Sequence, residues 1–169
     1  MIVQYLTKLI CRLWLFGALV MMKGSGLKVC VIGAGPGGLA AARVLSQSGY
    51  DPLVLEKDQV SGGVWNHVAG DDSRPMYRGL RTNLPREIMA FRERPWGGAG
   101  KSYVTHQQVA EYLHSYEHDF GLEKYIHYES EVRRFQVTDQ PSAVLFSNNE
   151  VIPKIEVEWE KGGHVERGC

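Results

Sequence analysis

At 169 residues the chain has the length of a single domain. Its content of 44% hydrophobic and 22% charged residues is that of an ordinary globular protein. With 19 basic and 19 acidic residues it carries no net charge, which excludes the basic footprint of a nucleic-acid binder or of a protein held to anionic lipid by charge alone.

The first 22 residues stand apart. Lys8 and Arg12 precede an apolar run from Leu13 to Met22, too short for a spanning helix, which needs about 20 residues. The layout resembles a signal peptide or membrane anchor, yet Lys23-Gly24-Ser25-Gly26 offers no small-residue cleavage site. Translation from Met21 or Met22, a membrane-associating segment and a cleaved signal are the three readings. The chain therefore divides into a lead segment, residues 1–26, and one domain, residues 27–169. Cys11, Cys30 and Cys169 are odd in number and lack CxxC spacing. That argues against a disulfide framework or zinc site and for a reducing compartment. Cys30, inside an apolar strand pattern, reads as a small buried hydrophobe.

Leu27 to Ile32 is a continuous apolar, β-rich run, the pattern of a parallel strand covered on both faces. A glycine-rich turn follows, then a helix over Leu39 to Ser48 stopped by Gly49, then a second strand over Pro52 to Leu55 with Glu56 at its end. Strand, turn, helix and strand over about 30 residues make a βαβ crossover. Residues 58 to 103 are irregular, and a loop of that length in a compact domain is usually functional. Thr105 to Phe120 is a helix with a Thr105–Gln108 capping box. Its Val109, Tyr112, Leu113, Tyr116 and Phe120 form one apolar stripe. Short strands follow over Tyr125 to Tyr128, Glu131 to Val137, Ala143 to Phe146 and Ile155 to Trp159. Gly162-Gly163 then turns a hairpin into a returning strand. The fold class is α/β: a Rossmann-like domain with a parallel sheet and a small antiparallel β element.

Gly33-Ala34-Gly35-Pro36-Gly37-Gly38 is a G-x-G-x-x-G between a strand and a helix. Gly33 permits the tight turn, Gly35 lets backbone approach a pyrophosphate, and Gly38 lets the helix pack against the strand. The helix N-terminus adds free N–H groups and about half a positive charge. Glu56 lies 23 residues after Gly33, where a carboxylate accepts from a ribose 2′-OH and repels a 2′-phosphate. The site thus suits FAD or NAD rather than NADP. Ser61-Gly62-Gly63-Val64-Trp65 brings a second glycine pair past the ribose carboxylate, which favours the longer FAD. Trp65 is either a core aromatic or a wall of the flavin pocket. His114 and His118 stand at i, i+4 on the helix but lack the H-E-x-x-H glutamate and a third ligand, so no metal site is expected.

Tyr77, Leu80, Thr82, Asn83, Pro85, Arg86, Met89 and Phe91 complete a pattern Y-x-x-L-x-T-N-x-P-[KR]-x-x-M-x-F. With V-I-G-A-G-P-G-G-L-A-A-A-R, the L-E-K strand end, G-G-V-W and the Y-V-T-H helix start, residues 28 to 137 resemble the N-terminal part of the flavin-containing monooxygenases. The resemblance implies FAD as cofactor, NADPH as its reductant, and O2 as co-substrate for oxygenation of a small soft amine or sulfide. It implies Asn83 as the catalytic residue beside the flavin. The implied cofactor contacts are Gly33, Gly35, Pro36, Gly37, Gly38, Glu56, Lys57, Gly63, Val64, Trp65, Arg81, Thr82, Asn83 and Val132; Gln107 and Val132 are the weaker carry-overs, and Arg81 and Arg86 are either phosphate contacts or solvated surface arginines. It also implies a cytoplasmic location, with the endoplasmic reticulum membrane as the alternative if residues 1–22 anchor the chain. Family members are several hundred residues long and carry a second dinucleotide loop for NADPH, which is not found here. The chain is therefore expected to be the FAD-binding portion, alone unable to turn over. A different FAD-dependent oxidoreductase and a non-catalytic FAD-binding fragment are the other readings. Phe91-Arg92-Glu93-Arg94-Pro95-Trp96 departs from the family's F-P-D-x-P-[FY] and leaves the packing of that loop open.

Overall fold

A computed structural model describes residues 28–71, 74–145 and 151–168, with side chains for all of these except 139–145 and 151–154. The readings made on residues 1–27 lie outside the described residues. Strand β1 (Lys28–Ile32) pairs in parallel with β2 (Asp51–Leu55), in register from Lys28↔Asp51 to Ile32↔Leu55. Helix α1 (Pro36–Gln47) crosses between them. It begins earlier than its apolar pattern suggests, because Pro36 takes the first helical position, where its missing N–H costs nothing. Two residues of β3 (Ile126–His127) add to β2 and give the order β1-β2-β3.

Between β2 and β3 the chain is mostly irregular, as expected. A 3-10 turn over Gly63–Trp65 and a one-turn helix α2 (Arg86–Met89) interrupt it. Helix α3 (His106–Asp119) then starts at Thr105, whose capping box with Gln108 is formed in both directions. The expected stripe faces inward: Val109, Tyr112, Leu113 and Tyr116 are buried and pack with Leu39, Ala42 and Val54 into the main core. Phe120 flanks it and holds the Arg43 guanidinium over its ring at 4.5 Å.

The loop whose packing was left open is held by this helix. Phe91 lies 4.3 Å from the Tyr116 ring, and Trp96 stacks on Tyr112 at 4.3 Å and 6°. Tyr112 accepts from the Phe91 N–H and donates to the Arg94 carbonyl. Tyr116 donates to Glu93, which also pairs with Arg43.

The antiparallel element is larger and more continuous than its sequence pattern suggests. Strand β4 runs unbroken over Ser130–Leu145, where two short strands were expected. It pairs with β5 (Val151–Lys161), which pairs with β6 (His164–Gly168) through a turn with φ of 56° at Gly162 and 80° at Gly163. The break expected around Pro141 is taken up as register shifts in the ladder, with Pro141 opposite Pro153. Bulges are where a strand tolerates a proline. The strand expected over Tyr125 to Tyr128 shrinks to β3, because Glu123–Tyr125 is a 3-10 turn.

Two readings of β1 are corrected. The strand is only partly buried, with Ile32 more than half exposed, because β2 is its single described neighbour. Cys30 is disulfide-bonded rather than a plain hydrophobe, which removes the support that the cysteine pattern lent to a reducing compartment. The second face of the parallel sheet packs on the antiparallel element through Leu55, Val157 and Trp159.

Leu39 is completely buried in the main core. Leu39→Ala is expected to lower unfolding free energy by about 2–5 kcal/mol, read by denaturant titration. Thr105→Ala, which opens the capping box, is expected to cost about 1 kcal/mol in the same assay.

Candidate functional site

The glycine turn and the second glycine pair meet over Ala34, which is fully buried. Gly62 donates its N–H to the Ala34 carbonyl at 2.9 Å. Gly33, Gly62 and Gly63 have φ of 89°, 111° and 57°, which glycine alone adopts without strain. A Cβ on Gly63 would stand 3.2 Å from the Gly35 Cα, and one on Gly38 would collide with the Gly33 carbonyl oxygen. The two loops thus form one side-chain-free cradle at the N-terminus of α1, where Gly37 and Gly38 have amides with no partner inside the helix.

Glu56 closes the cradle. It is 4% exposed, and its carboxylate accepts from Ala34 N–H at 2.6 Å and from Asp58 N–H at 2.9 Å. Its own N–H donates to the His127 carbonyl, and its carbonyl accepts from Ser130 N–H. Each carboxylate oxygen keeps a further lone pair for an outside donor.

A cavity of about 460 Å3 opens beside these groups, within the range of ligand sites. Of the residues expected at the site, Gly33, Gly35, Glu56, Lys57, Gly63, Val64 and Val132 line it. Sequence reasoning missed the rest of its polar wall: Asp58, Asp71, Arg74, Ser130 and Glu131. Arg74 donates to both Asp58 oxygens at 2.8 and 2.6 Å and to Asp71 at 2.8 Å. Nothing in the local sequence marks this clasp: Asp71 is three residues from Arg74, but Asp58 is 16 residues away and no periodicity links them. The Arg74 hydrogen bonds, opposed by burial, hold the Asp58 carboxyl below its usual range. Four carboxylates against Lys57 and Arg74 make a wall that would repel a 2′-phosphate.

Pro36, Gly37, Gly38, Trp65, Arg81, Thr82 and Asn83 do not line this cavity. Several of them gather in a second cluster instead. Thr82 is buried, donates its N–H to the Val104 carbonyl at 2.9 Å and accepts the Val104 N–H at its hydroxyl. Arg81 bridges Thr105, and Asn83 beside it is exposed. The Trp65 carbonyl lies 3.4 Å from His106 Nδ1. His106, the first residue of α3, is buried, and its Nε2 has no hydrogen-bond partner among the described residues. Sequence reasoning did not single it out. The Gly63–Trp65 turn joins the cavity to this cluster. Arg86 turns away from both to bond the Gly98 carbonyl, and Gln107 is exposed. His114 bonds the Ser61 carbonyl and His118 is exposed. Among the described residues no group of three His, Cys, Asp or Glu could hold a metal, and no helix is long and apolar enough to cross a membrane.

A parallel βαβ unit with a glycine cradle at a helix N-terminus and a carboxylate at the second strand end defines a dinucleotide-binding α/β protein. The chain belongs to the flavin-binding monooxygenase-like family, whose model matches residues 26–161. It is 34% identical over 149 residues to the flavin-containing monooxygenase FMO GS-OX4 of Arabidopsis thaliana, covering 73% of this chain and 32% of that protein. The solved S-allyl-L-cysteine S-oxygenase from Allium sativum superposes with a TM-score of 0.66 at 30% identity, over 83% of this chain and 34% of the other. Tmm from Pelagibacter sp. strain HTCC7211, at 21% identity and a TM-score of 0.67 over 83% of this chain and 34% of its own, shares the fold. The chain spans about a third of the length of these relatives.

Two measurements test this geometry. A Cβ on Gly35 meets nothing closer than 3.9 Å, whereas Gly63 combines positive φ with a crowded neighbour. Gly35→Ala is expected to leave the thermal midpoint unchanged, and Gly63→Ala to cost about 1–3 kcal/mol. For Asp58 the folded pKa lies below the unfolded one, so the unfolded chain binds more protons as pH falls. The clasp's contribution is present above about pH 4 and is lost as pH drops through the folded value. Asp58→Asn is expected to flatten that part of a midpoint-against-pH profile between pH 6 and 3.

Proposed function

We propose that this chain binds FAD, as the cofactor-binding part of a flavin-dependent monooxygenase that uses NADPH and O2 to oxygenate a soft nitrogen or sulfur in a small molecule. The observation that carries the reading is Glu56: a buried carboxylate held by two backbone N–H groups, beside a glycine cradle in which a Cβ on Gly38 or Gly63 would crowd the backbone. In this reading residues 27–169 are the FAD-binding domain and residues 1–26 a lead segment.

The residues divide the cofactor between them. Glu56 accepts from the adenosine ribose, and Lys57 and Val132 flank the adenine end. Gly33, Gly35, Pro36, Gly37, Gly38 and Gly63 leave room for the pyrophosphate, which the α1 N-terminus stabilises. Val64 and Trp65 lead the chain from the phosphates toward the flavin. There Arg81, Thr82 and Asn83 form the far end, with Thr82 locked to Val104 so that the adjacent Asn83 amide is presented outward. An amide both donates and accepts, which suits it to hold a reacting oxygen or a nicotinamide ribose in place. The flavin itself supplies the redox chemistry once bound. The S-oxygenase relative supports a sulfide among the substrates of this class.

The purified 169-residue chain is expected to take up FAD, seen as flavin absorption that survives gel filtration and as a raised thermal midpoint. A colourless protein that FAD does not stabilise would sink the reading. Gly35→Ala is expected to fold and to lose FAD, because its methyl group occupies the pyrophosphate approach. With a single dinucleotide loop in the sequence, the chain is expected to show no NADPH-dependent oxygen uptake.

A further inference from the structure

One buried carboxylate lies outside the cavity and has no role in the reading above. Glu117, in the last turn of α3, is 7% exposed. Its Oε1 accepts from the Tyr128 hydroxyl at 2.5 Å, and its Oε2 accepts from the Ser61 hydroxyl. Ser61 is itself buried, and its carbonyl is bonded by His114 Nε2 at 2.9 Å and by Asn66 Nδ2 at 2.7 Å.

Each of the two donors begins a different wall of the cavity. Ser61 leads directly into Gly62, whose N–H is bonded to Ala34, and into Gly63 and Val64, which line one wall. Tyr128 leads through Glu129, held at φ 54°, into Ser130, Glu131 and Val132, which line the other. The Ser130 N–H is the group bonded to the Glu56 carbonyl. The walls are also tied through Ala34 and Glu56, and the neighbouring segments by Glu129 N–H to the Asp58 carbonyl and by an exposed bond from Gln59 to the Glu129 carboxylate. Glu117 adds a direct side-chain link between the residues that precede them.

The chemistry suits a fixed strut. Each carboxylate oxygen accepts from one hydroxyl, so both hydroxyls point at Glu117 as donors. Ser61 is buried and Tyr128 half-buried, and hydrogen bonds to a carboxylate in such surroundings are short and strong. The Tyr128 phenol is accordingly pushed well above its usual range, by burial first and then by the Glu117 acceptor.

We propose that Glu117 is a positioning residue for the dinucleotide: through Ser61 and Tyr128 it sets the spacing between the Gly62–Val64 wall and the Ser130–Val132 wall. The inference rests on the reading that FAD occupies the cavity, and two separate readouts keep the two apart. The first is amide hydrogen exchange of the chain without FAD. In Glu117→Ala the Gly62 and Ser130 amides are expected to lose protection together, while β2 amides do not change. Ser61→Ala is expected to deprotect only Gly62, and Tyr128→Phe only Ser130, so the single variants decide the matter if Glu117→Ala does not fold. The second is FAD affinity measured well below the thermal midpoint. Losing two hydrogen bonds to a charged group is expected to weaken binding about tenfold or more in Glu117→Ala. Glu117→Gln, whose amide satisfies both hydroxyls by turning one into an acceptor, is expected to restore it. A Glu117→Ala chain with wild-type exchange at Gly62 and Ser130 would overturn the proposal, as would a lowered midpoint with unchanged FAD affinity. If the unaltered chain takes no FAD, the functional reading fails and the exchange arm alone decides whether Glu117 couples the walls.

Discussion

Four hydrogen bonds converge on Glu56, and each runs to a different stretch of chain. The side chain reaches back to Ala34 in the glycine turn and forward to Asp58, while the backbone continues the sheet to His127 and Ser130. The glycine turn ahead of α1, the end of β2, the short β3 and the start of β4 are therefore registered against one residue. That residue is buried, so each bond is made in surroundings of low polarity, where leaving any of them unmade would be costly. The cradle and the cavity take their shape from this node.

The local parts of this arrangement were legible in the sequence. The βαβ unit is written by spacing alone, because the turn at Gly33 and the close approach at Gly38 admit only glycine, and the carboxylate must stand at a strand end to reach back. Helix α3 was equally legible, since its cap and stripe both lie within its own length. What was not legible depends on partners far apart in the chain. Asp58, Asp71 and Arg74 sit in a stretch without periodicity, and their mutual bonds give no signal that a residue pattern records. Glu117 falls on a helix surface where a glutamate is ordinarily solvated, and only the fold brings Ser61 and Tyr128 to it. The unbroken β4 escaped because the two apolar runs, Glu131 to Val137 and Ala143 to Phe146, are separated by a polar, proline-containing stretch that a bulged ladder accommodates.

Helix α3 serves two faces at once. Its apolar stripe closes the main core and, through Tyr112 and Tyr116, fastens the Phe91–Trp96 loop. Its polar face carries His106, His114 and Glu117, which bond the Trp65 carbonyl, the Ser61 carbonyl and the Ser61 hydroxyl. The loop that carries the second glycine pair is thus supported along its length by a rigid element. A loop so supported holds its shape without a bound ligand, which lowers the ordering cost of binding.

The contact between Gly35 and Gly63 has a consequence for how such a sequence can drift. The two positions share one small volume, so a side chain admitted at either changes what the other tolerates, and their substitutions would combine non-additively. In the history of the sequence they behave as a single locus split between two loops.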